Sequence, residues 1–286
     1  MDISQYFNIG SYHPYLPYTS IKAVLPKGDS VDFVRPELVE VLPSYQIIYD
    51  CLKGEQHLKC LGDRYLPRPS TDKTKAEEER YKRYLQMALF LNVTHRTQSS
   101  IVGKLFSKPP TIKLPMELEP MLKNADGTGL SLRQLIEKTL ATVFAYGRAL
   151  LLADYRNMGD PFMSVADAEF IYPHLRLITP DSLMNWQIDP ISRRVTMIVV
   201  QESEDVFTGF AVKKEKRWRH YSIEDGRVVI KVWATVSNRQ EVIEEIIPLK
   251  SDGSTWDVIP GAIIGATDND WKPRHLEVTA LGYVTR

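Results

Sequence analysis

The feature that most constrains this chain is a change in its hydrophobic pattern near Tyr172. Before that residue, apolar side chains mostly recur at helical spacing, and after it, β-branched and aromatic runs alternate with turn residues. A helix and a strand require different hydrophobic periods, so the chain is expected to build mainly helices first and strands second. This pattern predicts the α+β class, with a helix-rich N-terminal unit followed by a strand-rich antiparallel unit.

The helical half carries recognisable start and stop signals. A helix is predicted over residues 36–54, interrupted by Pro43 and closed by Gly54, and another over residues 94–106. Capping-box spacing occurs twice, at Thr74 with Glu77 and at Ser131 with Gln134. The second box begins an amphipathic helix that ends at Gly147, and the apolar run 150–153 after it predicts a buried strand.

The strand-rich half and the chain ends complete the predicted organisation. Strands are expected at residues 176–178, 195–200, 206–212, 228–236 and 241–247. The predicted segments are a Tyr/Pro-rich extended arm (1–35), an α/β domain (36–190), a strand-rich region (191–258) and a C-terminal segment (259–286). The arm cannot bury its aromatic residues alone, so it is expected to reach a neighbouring subunit.

Composition excludes several classes of protein. The 36 Lys and Arg residues balance 36 Asp and Glu residues, so any contact with DNA is expected to be local or loose. Cys51 and Cys60 are too few for a zinc site or a disulfide scaffold, which favours free thiols in a reducing compartment. No stretch approaches the ~18 apolar residues that a membrane span needs, so no membrane partner is expected.

The sequence holds no credible catalytic constellation. Gly103 and Lys104 lack the earlier glycine and the following Ser or Thr of a phosphate-binding loop, and no G-x-S-x-G motif is present. Asp268 and Asp270 are spaced to hold Mg²⁺ or Mn²⁺, although this spacing is also typical of a turn. We therefore expect a non-enzyme without cofactor or metal. The alternative is a metal-dependent nucleotide- or sugar-processing enzyme that uses Asp268 and Asp270.

One basic cluster departs from the neutral background, because residues 213–220 carry five positive charges and one negative charge. The cluster lies between strand-like segments, and it is predicted to decorate a hairpin. Alternation would place Lys214, Lys216, Trp218 and His220 on one face and Lys213, Arg217 and Arg219 on the other.

Two interpretations of the basic cluster stay open. In one, it faces phosphates or an acidic partner, with Trp218 as a stacking surface. In the other, it is an exposed edge strand charged against aggregation. The candidate site residues are Lys213, Lys214, Lys216, Arg217, Arg219 and Trp218.

Five short sequence segments occur in order along the chain. They are residues 45–54 with 65–68, 92–97 running to 102–110, 146–152, 178–183 with 186–189, and 259–260 to 269–270. The second ends in a Gly-x-x-Phe-x-Lys-Pro turn, and the third is a helix-Gly-strand junction. In this order and spacing the segments resemble those of the portal proteins of tailed bacteriophages. Portal proteins are the ring subunits through which DNA enters and leaves the capsid.

The resemblance implies a structural subunit of the portal ring at the capsid vertex of the virion, assembled in the bacterial host cytoplasm. The ring would be a homo-oligomer of about twelve copies and would pass double-stranded DNA without sequence specificity. The implied partners are the packaging motor (terminase), head-tail adaptor proteins and the capsid protein. Residues 36–190 would form the portal wing and residues 191–258 the clip, which meets the motor or the adaptors.

The chain departs from the family at its end. Portal proteins continue into a stem helix, a tunnel-facing segment and a crown, so residues 259–286 are expected to lead toward that stem. The sequence stops at Arg286 and is expected to be either a fragment or a naturally shortened protein. A viral adaptor or scaffolding protein without a channel is a further alternative. The basic cluster is expected to dock a partner rather than line the channel, because its charges would hold DNA strongly around a ring.

Overall fold

The computed structural model describes residues 30–72, 74–154, 173–192, 194–237, 239–250, 253–265 and 283–284. Within these residues, helices and antiparallel sheets occur together, which confirms the predicted α+β class. Their α-helices all precede the long strands along the chain. None of these helices is both long and apolar enough to cross a lipid bilayer.

The elements are named here in chain order. The α-helices are α1 (Pro36–Lys53), α2 (Glu55–Cys60), α3 (Lys75–Met87), α4 (Val93–Leu105) and α5 (Leu132–Tyr146), with 3₁₀ helices at Gly62–Arg64 and Met116–Leu122. The strands are β1 (Leu89–Phe90), β2 (Arg148–Asp154), β3 (His174–Ile178), β4 (Leu183–Ile188), β5 (Val195–Thr208), β6 (Ala211–Glu224), β7 (Arg227–Val236), β8 (Arg239–Ile246), β9 (Gly261–Gly265) and β10 (Tyr283–Val284).

The described residues form two compact units. One contains Val41–Lys104 with β10, and the other contains residues 30–40 and the described residues of 105–265. The expected boundary between residues 190 and 191 falls inside the second of these units. It would separate β4 from β5, which pair antiparallel in one sheet. Residues 1–29 of the predicted arm, and residues 266–282 and 285–286 of the predicted C-terminal segment, lie outside the described residues.

Helix α1 runs without a break through Pro43, although Pro43 was expected to interrupt it. Proline removes one backbone hydrogen bond from a helix, and this usually destabilises it. Here the apolar face of α1 is buried at Leu38, Leu42, Tyr45 and Ile48. Burial of that face offsets the lost hydrogen bond, so tertiary packing overrides the local signal.

The other predicted helix signals are found in the structure. The Thr74 side chain accepts a hydrogen bond from the Glu77 backbone N–H, and Ser131 and Gln134 form a reciprocal capping box. Helix α5 ends at Gly147 in the left-handed conformation. A side chain at Gly265 would collide with the backbone carbonyl oxygen of Gly147, so the end of α5 and β9 can approach this closely only with glycine at position 265.

Two antiparallel sheets dominate the second unit. One has the order β3-β2-β9 and the other has the order β4-β5-β6-β7-β8. The five-stranded sheet buries Trp186, Ile198, Val200, Tyr221 and Val232. The predicted strand at residues 206–212 is wrong, because the chain reverses there between β5 and β6 with Gly209 at positive φ.

A buried carboxylate organises the first unit. Asp50 on α1 is 1% exposed and accepts hydrogen bonds from Gln46 Nε2 (2.8 Å), His57 Nε2 (2.9 Å) and Tyr65 Oη (2.5 Å). Arg64 adds an ion pair at 3.7 Å. Because a buried charge is costly unless it is paired and hydrogen-bonded, these contacts bind α1, α2 and the first 3₁₀ helix to one another.

We expect Asp50→Asn to lower the free energy of unfolding by about 2–3 kcal/mol, because an amide donor replaces one of the acceptor oxygens in a buried cluster. Asp72→Asn is the matched control. The Asp72 side chain is exposed, and its substitution should change stability by no more than about 0.5 kcal/mol. Urea denaturation followed by circular dichroism measures both variants. Equal stability of the two variants would contradict the assigned role of Asp50.

Candidate functional site

The most distinctive surface element is a two-stranded ribbon, residues 203–216, which extends beyond the five-stranded sheet. Strand β5 pairs with β4 only as far as Val200, and β6 pairs with β7 only from Arg217 onward. Between those points β5 and β6 pair only with each other, in six steps from Ser203↔Lys216 to Thr208↔Ala211. At about 3.4 Å per residue, the ribbon is about 20 Å long.

The structure distributes the predicted basic cluster over two environments. Lys213, Lys214 and Lys216 lie on the ribbon, whereas Arg217, Trp218 and Arg219 lie at its root, inside the sheet. Trp218 is only 5% exposed, so it is not available as a stacking surface. The interpretation of the whole cluster as an edge strand also needs correction, because β6 has β5 and β7 on its two sides from Arg217 onward.

Strand β5 supplies acidic partners that sequence reasoning missed. Arg217 Nε lies 2.5 Å from Glu204 Oε2, and Lys214 stands directly opposite Asp205 across the ribbon. The ribbon itself carries three acidic and three basic side chains, so its net formal charge is zero. The Glu202-x-Glu204 spacing on β5, matched by Arg217-x-Arg219 on β6, was the signal that could have revealed this balance.

An ion network fixes the root of the ribbon to the three-stranded sheet. Arg176 on β3 donates from Nη2 to Glu202 Oε1 at 2.6 Å and from Nη1 to Asp154 Oδ2 at 3.4 Å. Arg219 on β6 contacts the same two carboxylates at 3.4 and 3.5 Å. The four side chains are each less than one-third exposed and alternate in sign, so each charge has two opposite neighbours.

Burial and charge shift the pKa of groups around this root. Burial alone would lower the pKa of the Arg176 guanidinium, but the charge and the hydrogen bond of Glu202 raise it above its ordinary value. Burial raises the pKa of the neighbouring Tyr221 to about 12. Partial burial lowers the pKa of Lys216. The raised pKa of Arg176 means that Glu202 stabilises the charged form of its guanidinium.

The tip of the ribbon is apolar and exposed. Phe207 is 75% exposed, Phe210 stands fully in solvent and Val212 is 51% exposed. Exposed phenylalanines grouped at the end of a projecting element are unusual for a surface that contacts only water. The ribbon thus combines an ion-paired root, a middle section without net charge and an exposed apolar tip.

The described residues offer no clear alternative site. Among them, no group of three or more His, Cys, Asp and Glu side chains is arranged to hold a metal ion. Asp268 and Asp270, the predicted metal pair, lie outside the described residues. Burial, followed by the charge of Asp50, raises the pKa of Cys51 to about 12, which makes this thiol a poor nucleophile.

The comparisons with known protein families and with curated proteins give no match to this chain.

We expect Glu202→Gln to lower the free energy of unfolding by about 1–3 kcal/mol, since it removes the carboxylate that Arg176 and Arg219 share in a partly buried setting. Glu137→Gln is the matched control. Glu137 pairs with Arg133 on the exposed face of α5, and its loss should cost about 0.3–0.5 kcal/mol. Thermal and urea unfolding measure both variants. A Glu202→Gln cost no greater than that of the control would show that the network does not hold the sheets together.

Proposed function

We propose that this chain is a non-enzymatic structural subunit of a tailed-bacteriophage portal ring. About twelve copies would surround a channel for DNA packaging and ejection at the capsid vertex. The proposal rests on the five sequence segments that resemble those of portal proteins in order and spacing. It also rests on an α+β fold in which helices precede a strand-rich unit.

The observation that carries the proposal is the projecting ribbon. A clip has to present strands beyond the body of its subunit, where a packaging motor or a head-tail adaptor can reach them. Residues 203–216 form such an extension, and their apolar tip offers Phe207 and Phe210 to a partner. The ion network at the root supports this role because it resists displacement of the ribbon when a partner binds.

The charge balance of the ribbon favours docking over DNA retention. Proteins that hold DNA neutralise many phosphates, and their affinity falls steeply with salt. The ribbon carries no net charge, and the chain as a whole carries none. A ring of such subunits would let DNA slide past, and the partner contacts of the clip would depend on the apolar tip and on local charge pairs.

Electron microscopy of the purified full chain tests this proposal. Class averages are expected to show a closed ring with rotational symmetry near twelve and a central opening wide enough for double-stranded DNA. Light scattering over a wide concentration range checks the mass of the particle in solution. A strictly monomeric protein would contradict the proposal, and a closed particle without an opening would favour an adaptor or scaffolding protein.

A further inference from the structure

Two strand edges of the second unit are open and opposite in charge. The first is the basic edge, residues 211–216 of β6, which has no strand beside it on the side away from β5 within the described residues. The second is the acidic edge, strand β8 (Arg239–Ile246), whose one described neighbour is β7. Open edges present unpaired backbone N–H and C=O groups, and these pair readily with another strand.

The two edges match in charge. The basic edge has three lysines and one glutamate, for a net charge of +2, and the acidic edge has three glutamates and one arginine, for a net charge of −2. Glu241, Glu244 and Glu245 are all exposed and have no ion-pair partner among the described residues. Lys214 is also exposed and lacks a direct ion pair there. These charges are available to a partner.

The two edges also match in apolar surface and in length. Val212 on the basic edge is 51% exposed, and Val242 and Ile243 on the acidic edge are 42% and 44% exposed. The six residues of the basic edge fit within the eight of the acidic edge. Near the start of β8, Gln240 Nε2 donates a hydrogen bond to the Asp32 carboxylate at 3.0 Å. Residues 241–245, which follow Gln240 along the strand, are exposed.

The two edges cannot meet within one chain. Strand β7 lies between β6 and β8 in the sheet, so the outer edge of β8 is two strand spacings, about 10 Å, from β6. We propose that the basic edge of one copy pairs with the acidic edge of a second copy of this chain. Each copy would use a different edge toward each neighbour, which makes the contact head-to-tail and allows closure into a ring. The inference rests on the proposed ring and names its subunit contact.

Reciprocal charge reversal tests the pairing. One variant carries Lys213→Glu with Lys214→Glu, and the other carries Glu244→Lys with Glu245→Lys. Each variant alone places like charges on the two edges that would pair. We therefore expect each variant to self-associate at least tenfold more weakly than wild type, as measured by sedimentation velocity at physiological salt. The control is Glu117→Lys with Glu119→Lys, an equal charge change at exposed positions of the second 3₁₀ helix, which should leave self-association unchanged.

Mixing the two reversal variants separates a lost contact from a folding defect. In an alternating assembly every contact again joins an acidic edge to a basic edge, so a one-to-one mixture is expected to recover most of the wild-type association. A misfolded variant cannot be rescued in this way. If the mixture stays dissociated, or if both reversal variants assemble like wild type, the edge pairing is overturned.

The outcomes also separate this inference from the portal proposal. If the wild-type protein forms rings and both charge-reversal variants form them too, the edge pairing is overturned and the portal ring is supported. The wild-type protein could instead form open filaments or small oligomers. If the reversal variants dissociate these assemblies and mixing the variants restores them, the edge pairing is supported and the ring is overturned. A wild-type protein that stays monomeric at every concentration overturns both.

Discussion

Four charged side chains at the root of the ribbon join the two sheets of the second unit. Asp154 and Arg176 belong to the three-stranded sheet, and Glu202 and Arg219 belong to the five-stranded sheet. A single charge of this kind would be costly to bury, but the alternating arrangement gives every guanidinium two carboxylates. The ribbon leaves the five-stranded sheet at this junction, and both the apolar tip and the basic edge lie beyond it.

Local signals allowed much of the fold to be predicted from the sequence. The caps at Thr74, Ser131 and Gly147 each depend on residues within one turn of each other, so spacing alone identifies them. The break expected at Pro43 was wrong because burial of the helix face depends on distant packing. The Asp50 cluster was missed for the same reason, since His57 and Tyr65 reach Asp50 only after the chain folds back.

The basic cluster illustrates where prediction of the site stopped. Its residues were visible as a charge run, but cross-strand partners depend on where the chain turns. A hairpin was predicted for this cluster, but placing a strand over residues 206–212 left no turn at Gly209, and so the acids that face the lysines and arginines were missed. Once the turn lies at Gly209, Asp205 comes opposite Lys214 and Glu202 opposite Arg217, and the apparent basic patch becomes a balanced ribbon.

The exposed apolar tip of the ribbon affects the solubility of the chain. Phe207 and Phe210, carried on strands with open edges, are the kind of surface that promotes disordered aggregation when it stays uncovered. A contact that covers the tip and the open edges would therefore protect the newly made chain from aggregation. Accumulation of the chain with this surface uncovered would lead to insoluble material.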